Sequence, residues 1–252
     1  MSNAFLQIGS GPDPVIVLHG WLSDHAVFSP TYRWLDTRRF SYAFVDAPGY
    51  GGARQSAHDR GIQGMGRAAL EVADRLDWPR FNVVGHSMGG KAAQWMCAHA
   101  QERVIRAVGI NPVPASGVPF DEQGRSLFES AAHDASARRA ILDMTTGGRL
   151  NANWLDRVCQ DSFAACSEDT IGEYFRDWAD GDFADDLQGN ATPFLALAGD
   201  TDAAITAEVL NQTIAQWMTH AVVDSIPGAG HYPMLEVPPW LAGRVENFLG
   251  AG

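Results

Sequence analysis

Six short apolar runs punctuate the chain, at 15–18, 42–45, 81–84, 107–110, 194–198 and 221–223. They are rich in Val, Ile, Phe and Ala and do not alternate with polar residues, so they predict strands covered on both faces, as in a parallel sheet. Longer segments of helical period lie between them. Ile62, Met65, Ala69, Leu70, Ala73 and Leu76 form one apolar stripe, and Leu241, Val245, Phe248 and Leu249 form another. Ser29 followed by Pro30 predicts a helix N-cap with proline in the first turn. Strands alternating with helices predict the α/β class, with a mostly parallel sheet flanked by helices.

One interval breaks this rhythm. About 80 residues separate Asn111 from Thr192, far more than a crossover needs. The interval opens on the proline-rich PVPASGVPF and then carries Leu127, Phe128, Ile141, Leu142, Trp154, Leu155, Val158, Phe163, Ile171, Tyr174, Phe175 and Trp178 at helical spacing. The expected organisation is a core domain of 1–111 and 192–252, with a helical cap insertion at 112–191 over the sheet's carboxyl edge. For any single aromatic in it, ordinary core packing is the simpler expectation.

Composition narrows the partners. The 252 residues are 46% apolar and 19% charged, which describes a folded globular chain long enough to need no metal or disulfide staple. Lys and Arg number 18 against 30 Asp and Glu, a net charge of −12 without any basic run. That excludes a nucleic-acid partner and an anionic membrane surface, both of which need clustered cations. Fifteen of the acidic residues fall in 112–191, so strongly anionic substrates are disfavoured there unless a buried Arg compensates. Cys97, Cys159 and Cys166 have no metal-ligand spacing and are expected as free thiols in a reducing compartment. The amino-terminal residues lack a secretory pattern, and no segment reaches the roughly 18 apolar residues of a membrane span. A cytoplasmic protein with no metal and no cofactor is expected.

The run at 81–84 leads directly into Gly85-His86-Ser87-Met88-Gly89, and a helical stretch follows with Ala92, Ala93, Met96 and Cys97 on it. A sharp strand-to-helix turn flanked by glycines raises a serine for attack. A serine hydroxyl needs a base, and the base needs a third group to hold it. Gly199-Asp200-Thr201-Asp202 and Gly228-Ala229-Gly230-His231 follow the last two apolar runs, at the strand ends where sites of open parallel sheets form. His231 is the candidate base, and Asp200 and Asp202 both stand as its partner. His86 is expected to point elsewhere and His19 to be structural, while His25, His58, His99, His133 and His220 sit in polar or helical contexts without partners. The backbone N–H groups of Met88 and Trp21, the latter in the glycine-containing turn after the first run, are candidates for an oxyanion hole.

HGW at 19–21, DAPGYG at 46–51, GHSMGG at 85–90, GDTD at 199–202 and GAGHYPMLE at 228–236 together resemble the α/β-hydrolase superfamily over almost the full chain. The closest likeness in motif is to small carboxylesterases and lactonases, followed by meta-cleavage C–C hydrolases and aryl esterases. The resemblance implies Ser87 as nucleophile, His231 as base, Asp202 as acid and a cap that shapes the pocket. A serine at 87 sets aside the epoxide hydrolases and haloalkane dehalogenases, which carry aspartate there. The chain departs from the pattern in two places: the leading hairpin is short or missing, and Thr206 stands where a proline is usual. The expected function is metal-independent hydrolysis of a small-molecule ester or lactone by a monomer or homodimer. A C–C hydrolase or cofactor-free lyase is the alternative, and a noncatalytic ligand receptor a third. The C–C reading would be favoured by a basic group for a substrate carboxylate; Lys91, Arg125, Arg149 and Arg157 are available, though the surface is their ordinary place.

Overall fold

A computed structural model describes residues 4–251. Its sheet has seven strands: β1 (Phe5–Ile8), β2 (Asp13–Leu18), β3 (Phe40–Val45), β4 (Phe81–His86), β5 (Val104–Ile110), β6 (Phe194–Gly199) and β7 (Ala221–Ile226). They lie in the order β1-β3-β2-β4-β5-β6-β7, with β1 antiparallel to β3 and all other pairs parallel. All six apolar runs fall in strands. Ahead of β2, the short strand β1 adds to the outside of β3. One expectation fails at the opposite edge. β7 is only partly buried, with Val222 exposed, because the outermost strand has a strand neighbour on one side only.

The strand residues feed two cores, one on each face. Ile16, Leu18, Ala43, Val45 and Val83 pack with Ile62, Met65 and Ala69 of α1 (Ile62–Arg75) and with Ala92 and Met96 of α2 (Met88–His99). Their alternating neighbours Val15, Val17, Tyr42, Phe44 and Val84 pack on the other face. This period-two division, with each buried side chain contributing about 1.5–3 kcal/mol, locks the strand register.

The turn at Ser29-Pro30 does not start a helix. A 3-10 helix spans His25–Trp34, and Pro30 lies inside it, because the Asp24 side chain accepts the Ala26 N–H at 2.9 Å and caps the element earlier.

Between β5 and β6 lie α3 (Glu122–Ser130), α4 (Ala135–Thr145), α5 (Ala152–Ala165) and α6 (Glu168–Asp180). Each has a side-chain N-cap, supplied by Asp121, Asp134, Asn151 and Ser167 in turn. Each such cap is worth about 1 kcal/mol. Two cations are buried among these helices. Arg138 is fully covered; its guanidinium donates to Ala131 O, to Ala132 O at 3.0 Å and to Ser162 Oγ at 3.1 Å, and lies 3.6 Å from the Phe163 ring centre. Lys91 of α2, expected at the surface, is also covered and donates to Trp178 O at 3.0 Å and to Gly181 O. Burial pushes its ammonium down to about 8 despite Asp177, Asp182 and Asp180 nearby.

After β6 come α7 (Ala207–Gln212) and α8 (Ile214–Trp217), and after β7 come α9 (Pro233–Glu236) and α10 (Pro238–Leu249). Thr206 accepts the Val209 N–H and caps α7, so it starts a helix where the family pattern has proline. Among the described residues no helix is long and apolar enough to cross a membrane.

Candidate active site

The loops after β2, β4, β5, β6 and β7 meet at the carboxyl edge of the sheet. Ser87, between β4 and α2, has φ 54° and ψ −117°, a left-handed conformation costing a non-glycine residue roughly 1–3 kcal/mol. It is held there on both sides. Its N–H donates to Ile110 O at 2.9 Å, and its carbonyl accepts from Gly90, Lys91 and Val113. A Cβ at Gly85 would lie 2.1 Å from Gly89 O, and one at Gly89 would lie 2.5 Å from His19 O, so both flanking glycines are required by close backbone approach.

His231, beyond β7, places Nδ1 2.6 Å from Asp202 Oδ2. Asp202 Oδ1 accepts the Ala204 N–H at 2.9 Å and the Ile205 N–H at 3.2 Å, and Asn111 Nδ2 donates to Oδ2 at 2.7 Å. Burial alone would raise the Asp202 carboxyl; the neighbouring His231 and these amides outweigh it and hold it below the usual carboxylate range. An ionised Asp202 takes the proton-bearing Nδ1 and leaves Nε2 free for proton transfer. Asp200 is turned away: its Oδ2 accepts the Gly228 N–H at 3.0 Å.

The loop carrying His231 is clamped through its main chain. The Glu236 carboxylate, 2% exposed, accepts the N–H groups of Gly230 and Tyr232, both at 2.9 Å, and pairs with Arg149. His231 N–H donates to Thr145 O at 3.0 Å, tying the loop to the end of α4. His86, expected to point away, holds the loop too. Its Nε2 donates to the His231 carbonyl at 2.7 Å, and burial, then the neighbouring His231, pushes its pKa well down, so the ring is neutral.

The Trp21 and Met88 backbone N–H groups have no acceptor among the described residues. A Cβ on Gly20, next to Trp21, would come within 3.3 Å of the Ser87 Cβ, which shows how closely this turn approaches the serine. The Trp21 side chain packs separately: Nε1 donates to Ile171 O at 2.9 Å, and the ring stacks on Phe128 with centroids 5.7 Å apart.

Ser87 and His231 line one cavity of about 590 Å³, together with Trp21, Phe120, Phe128 and Trp178. Most of its wall belongs to 112–191. Among the described residues Asp121 is the one Asp, Glu, Lys or Arg on it. None of the four candidate cations reaches it. Lys91 is held by carbonyls, Arg125 by Asp180, Arg149 by Glu236, and Arg157 lies exposed 3.9 Å from Asp161. The buried Arg138 is equally committed elsewhere. The basic group that would have favoured C–C cleavage is therefore missing from the wall.

Four of the histidines expected to be unpartnered have partners: His25 with Asp46 at 2.8 Å, His58 with Glu71 at 2.9 Å, His99 with Asp186 at 3.3 Å and His220, whose Nδ1 donates to Ala191 O at 3.1 Å. These contacts bring together residues 13 to 87 positions apart, which local context does not reveal. His19 is structural, accepting the Ala47 N–H at Nε2 and donating from Nδ1 to Gly20 O. Asp24, His25 and Asp46 could converge on a cation, but Asp46 is already engaged by His25 N, His25 Nδ1 and Gly52 N. Sequence reasoning overlooked Asn111 and Glu236. The signal for Asn111 was its place at the carboxyl end of β5, in line with the ends of β4, β6 and β7; Glu236 lay within the GAGHYPMLE motif itself.

A family model described as alpha/beta hydrolase fold matches residues 13–238. The chain is 26% identical over 242 residues to the pimeloyl-(acyl-carrier protein) methyl ester esterase of Nitrosomonas europaea, covering 91% of this chain and 92% of that protein. It is 25% identical over 238 residues to a non-heme haloperoxidase of Rhodococcus erythropolis, covering 88% and 86%. Among solved structures, a hydrolase from Oleispira antarctica superposes with a TM-score of 0.87 at 17% identity, covering 100% of this chain and 96% of that one.

Proposed function

Given that the chain belongs to the alpha/beta hydrolase fold family, we propose that it is a serine hydrolase cleaving a carboxylic ester or lactone through Ser87, His231 and Asp202. The observation that carries this reading is the convergence at one cavity of a strained Ser87 and a His231 whose Nδ1 is bound by Asp202. The likeness to a methyl ester esterase over 91% of the chain supports an ester as the bond broken.

In the proposed cycle His231 Nε2 takes the Ser87 proton as Oγ attacks the acyl carbon. The Trp21 and Met88 N–H groups receive the developing oxyanion; donors preset in this way are worth about 3–4 kcal/mol each. His231 then gives the proton to the departing alkoxide. Water, deprotonated by the same ring, releases the acid from the acyl-enzyme. Asp202 holds the tautomer and stabilises the imidazolium. The 112–191 helices act as a cap forming most of the substrate wall.

Labelling by a fluorophosphonate at Ser87, located by peptide mass spectrometry and absent in Ser87→Ala, is the expected outcome. It should be accompanied by turnover within a panel of p-nitrophenyl esters and lactones. A wild-type protein that takes no label overturns the reading.

A further inference from the structure

The wall of the cavity says what kind of ester would fit it. Five aromatic side chains, Trp21, Phe120, Phe128, Trp178 and Tyr232, line it, and among the described residues no Lys or Arg does. The one acidic wall residue, Asp121, is exposed and accepts the Gly124 N–H at 2.7 Å. The nearby cations are consumed internally: Lys91 by Trp178 O and Gly181 O, Arg138 by Ala131 O, Ala132 O and Ser162 Oγ, and Arg149 by Glu236. A substrate carboxylate entering here would lose its water and find no compensating charge, a heavy penalty in an apolar pocket. Asp121 and the other fourteen acidic residues of 112–191 add repulsion. At about 590 Å³ the cavity has the size of sites that enclose a drug-sized molecule, and its rings offer faces and edges for offset stacking.

Resting on the serine-hydrolase reading, we propose that the substrate is an uncharged ester or lactone with a bulky apolar body, and that the cavity rejects carboxylate-bearing esters of the same size. Phe128, stacked on Trp21, is the specificity-determining side chain for that apolar body. Selectivity of this kind separates the chain from any esterase that grips an acidic substrate through a cation.

The test pairs p-nitrophenyl hexanoate with the mono-p-nitrophenyl ester of adipic acid, which has the same chain length but ends in a carboxylate. Wild type should show a kcat/KM at least about 100-fold lower for the adipate ester. Met144, on the wall and 42% exposed, can be replaced by a cation without burying its charge. Met144→Arg should raise kcat/KM for the adipate ester at least about tenfold while changing hexanoate less than about threefold. Phe128→Ala should lower the ratio of kcat/KM for hexanoate to that for p-nitrophenyl acetate about tenfold. Equal hydrolysis of the two esters by wild type, or a Met144→Arg protein with unaltered discrimination, overturns the proposal. Fluorophosphonate labelling of the same samples separates the two levels of inference. Label with equal hydrolysis overturns only the substrate class, whereas no label overturns the serine-hydrolase reading.

Discussion

The loop around His231 and the helices around the cavity are held by opposite kinds of force. The loop is fixed by directional bonds to its main chain: Glu236 takes two of its amides, Thr145 O takes a third, and His86 donates to its carbonyl. The wall is held by rings against rings, with Trp21, Phe120, Phe128, Phe175 and Trp178 in mutual contact. Directional bonds place an atom to within tenths of an ångström, which proton transfer needs. Ring packing sets a volume and tolerates exchange of one apolar side chain for another. In the proposed mechanism, then, the chemistry is conserved by the loop and the substrate range is tuned by the wall.

The largest expected effect falls on the chemistry alone. Asp202→Asn should lower kcat by about 10⁴-fold in a p-nitrophenyl ester assay, through loss of the correct tautomer. Asp200→Asn, whose parent carboxylate faces only the Gly228 amide, should lower it less than about threefold. Equal losses would mean that the His231–Asp202 contact is not the one that matters.

The next effect falls on the wall alone. Arg138→Ala strands Ala131 O and Ala132 O inside the helices and leaves Ser162 Oγ with only its bond to Cys159 O. It should reduce unfolding free energy by about 3 kcal/mol in urea melts. Below the lowered melting point Ser87 should still take a fluorophosphonate, since the elbow is held by β5 and the α2 start.

A smaller effect should appear where the two regions meet. Glu236→Gln removes the ion pair with Arg149 and one of the acceptors of the loop amides, and should lower kcat about tenfold with little change in KM. A Glu236→Asp protein that recovers part of that loss would identify positioning, whereas a pure stability role would move melting and not kcat.

The smallest is a pH effect remote from both. The Asp46 bond, set against burial, raises the His25 pKa, and the Asp46 carboxyl is in turn lowered. A raised histidine contributes stability that is complete below its unfolded value of about 6.5 and lost as pH rises through the folded value. Wild type should therefore exceed His25→Asn by about 1 kcal/mol in urea melts near pH 5.5, and the gap should shrink by pH 9. A gap that widens with pH would reverse the assignment.

Much of the frame was legible because its signals are local. The unbroken apolar runs announce strands covered on both faces, and β7, the edge strand, is where that inference overreached. Gly85 and Gly89 mark the elbow because no other residue fits the backbone approach there. Residues chosen by long-range contacts were not legible in the local pattern, and Asp202 was reached only through the family resemblance. Asp200 and Asp202 follow β6 by one and three positions, and only the path of the loop turns one toward His231 and the other toward Gly228. Lys91 reads as a surface cation in sequence, yet it satisfies carbonyls inside the fold, as does Arg138.

By itself the sequence determined the α/β architecture, the elbow at Ser87 and the loops where its partners had to lie, because strand burial and tight turns depend on residues near one another in the chain. The residues by themselves left Asp200 and Asp202 open, and only the family resemblance pointed to Asp202, the one that meets His231. The tertiary structure alone decided that Glu236 and Arg149 clamp the His231 loop and that the cavity is aromatic and, among the described residues, without a cation. Those outcomes depend on how four capped helices pack across the sheet's edge, and packing joins side chains that local sequence keeps far apart.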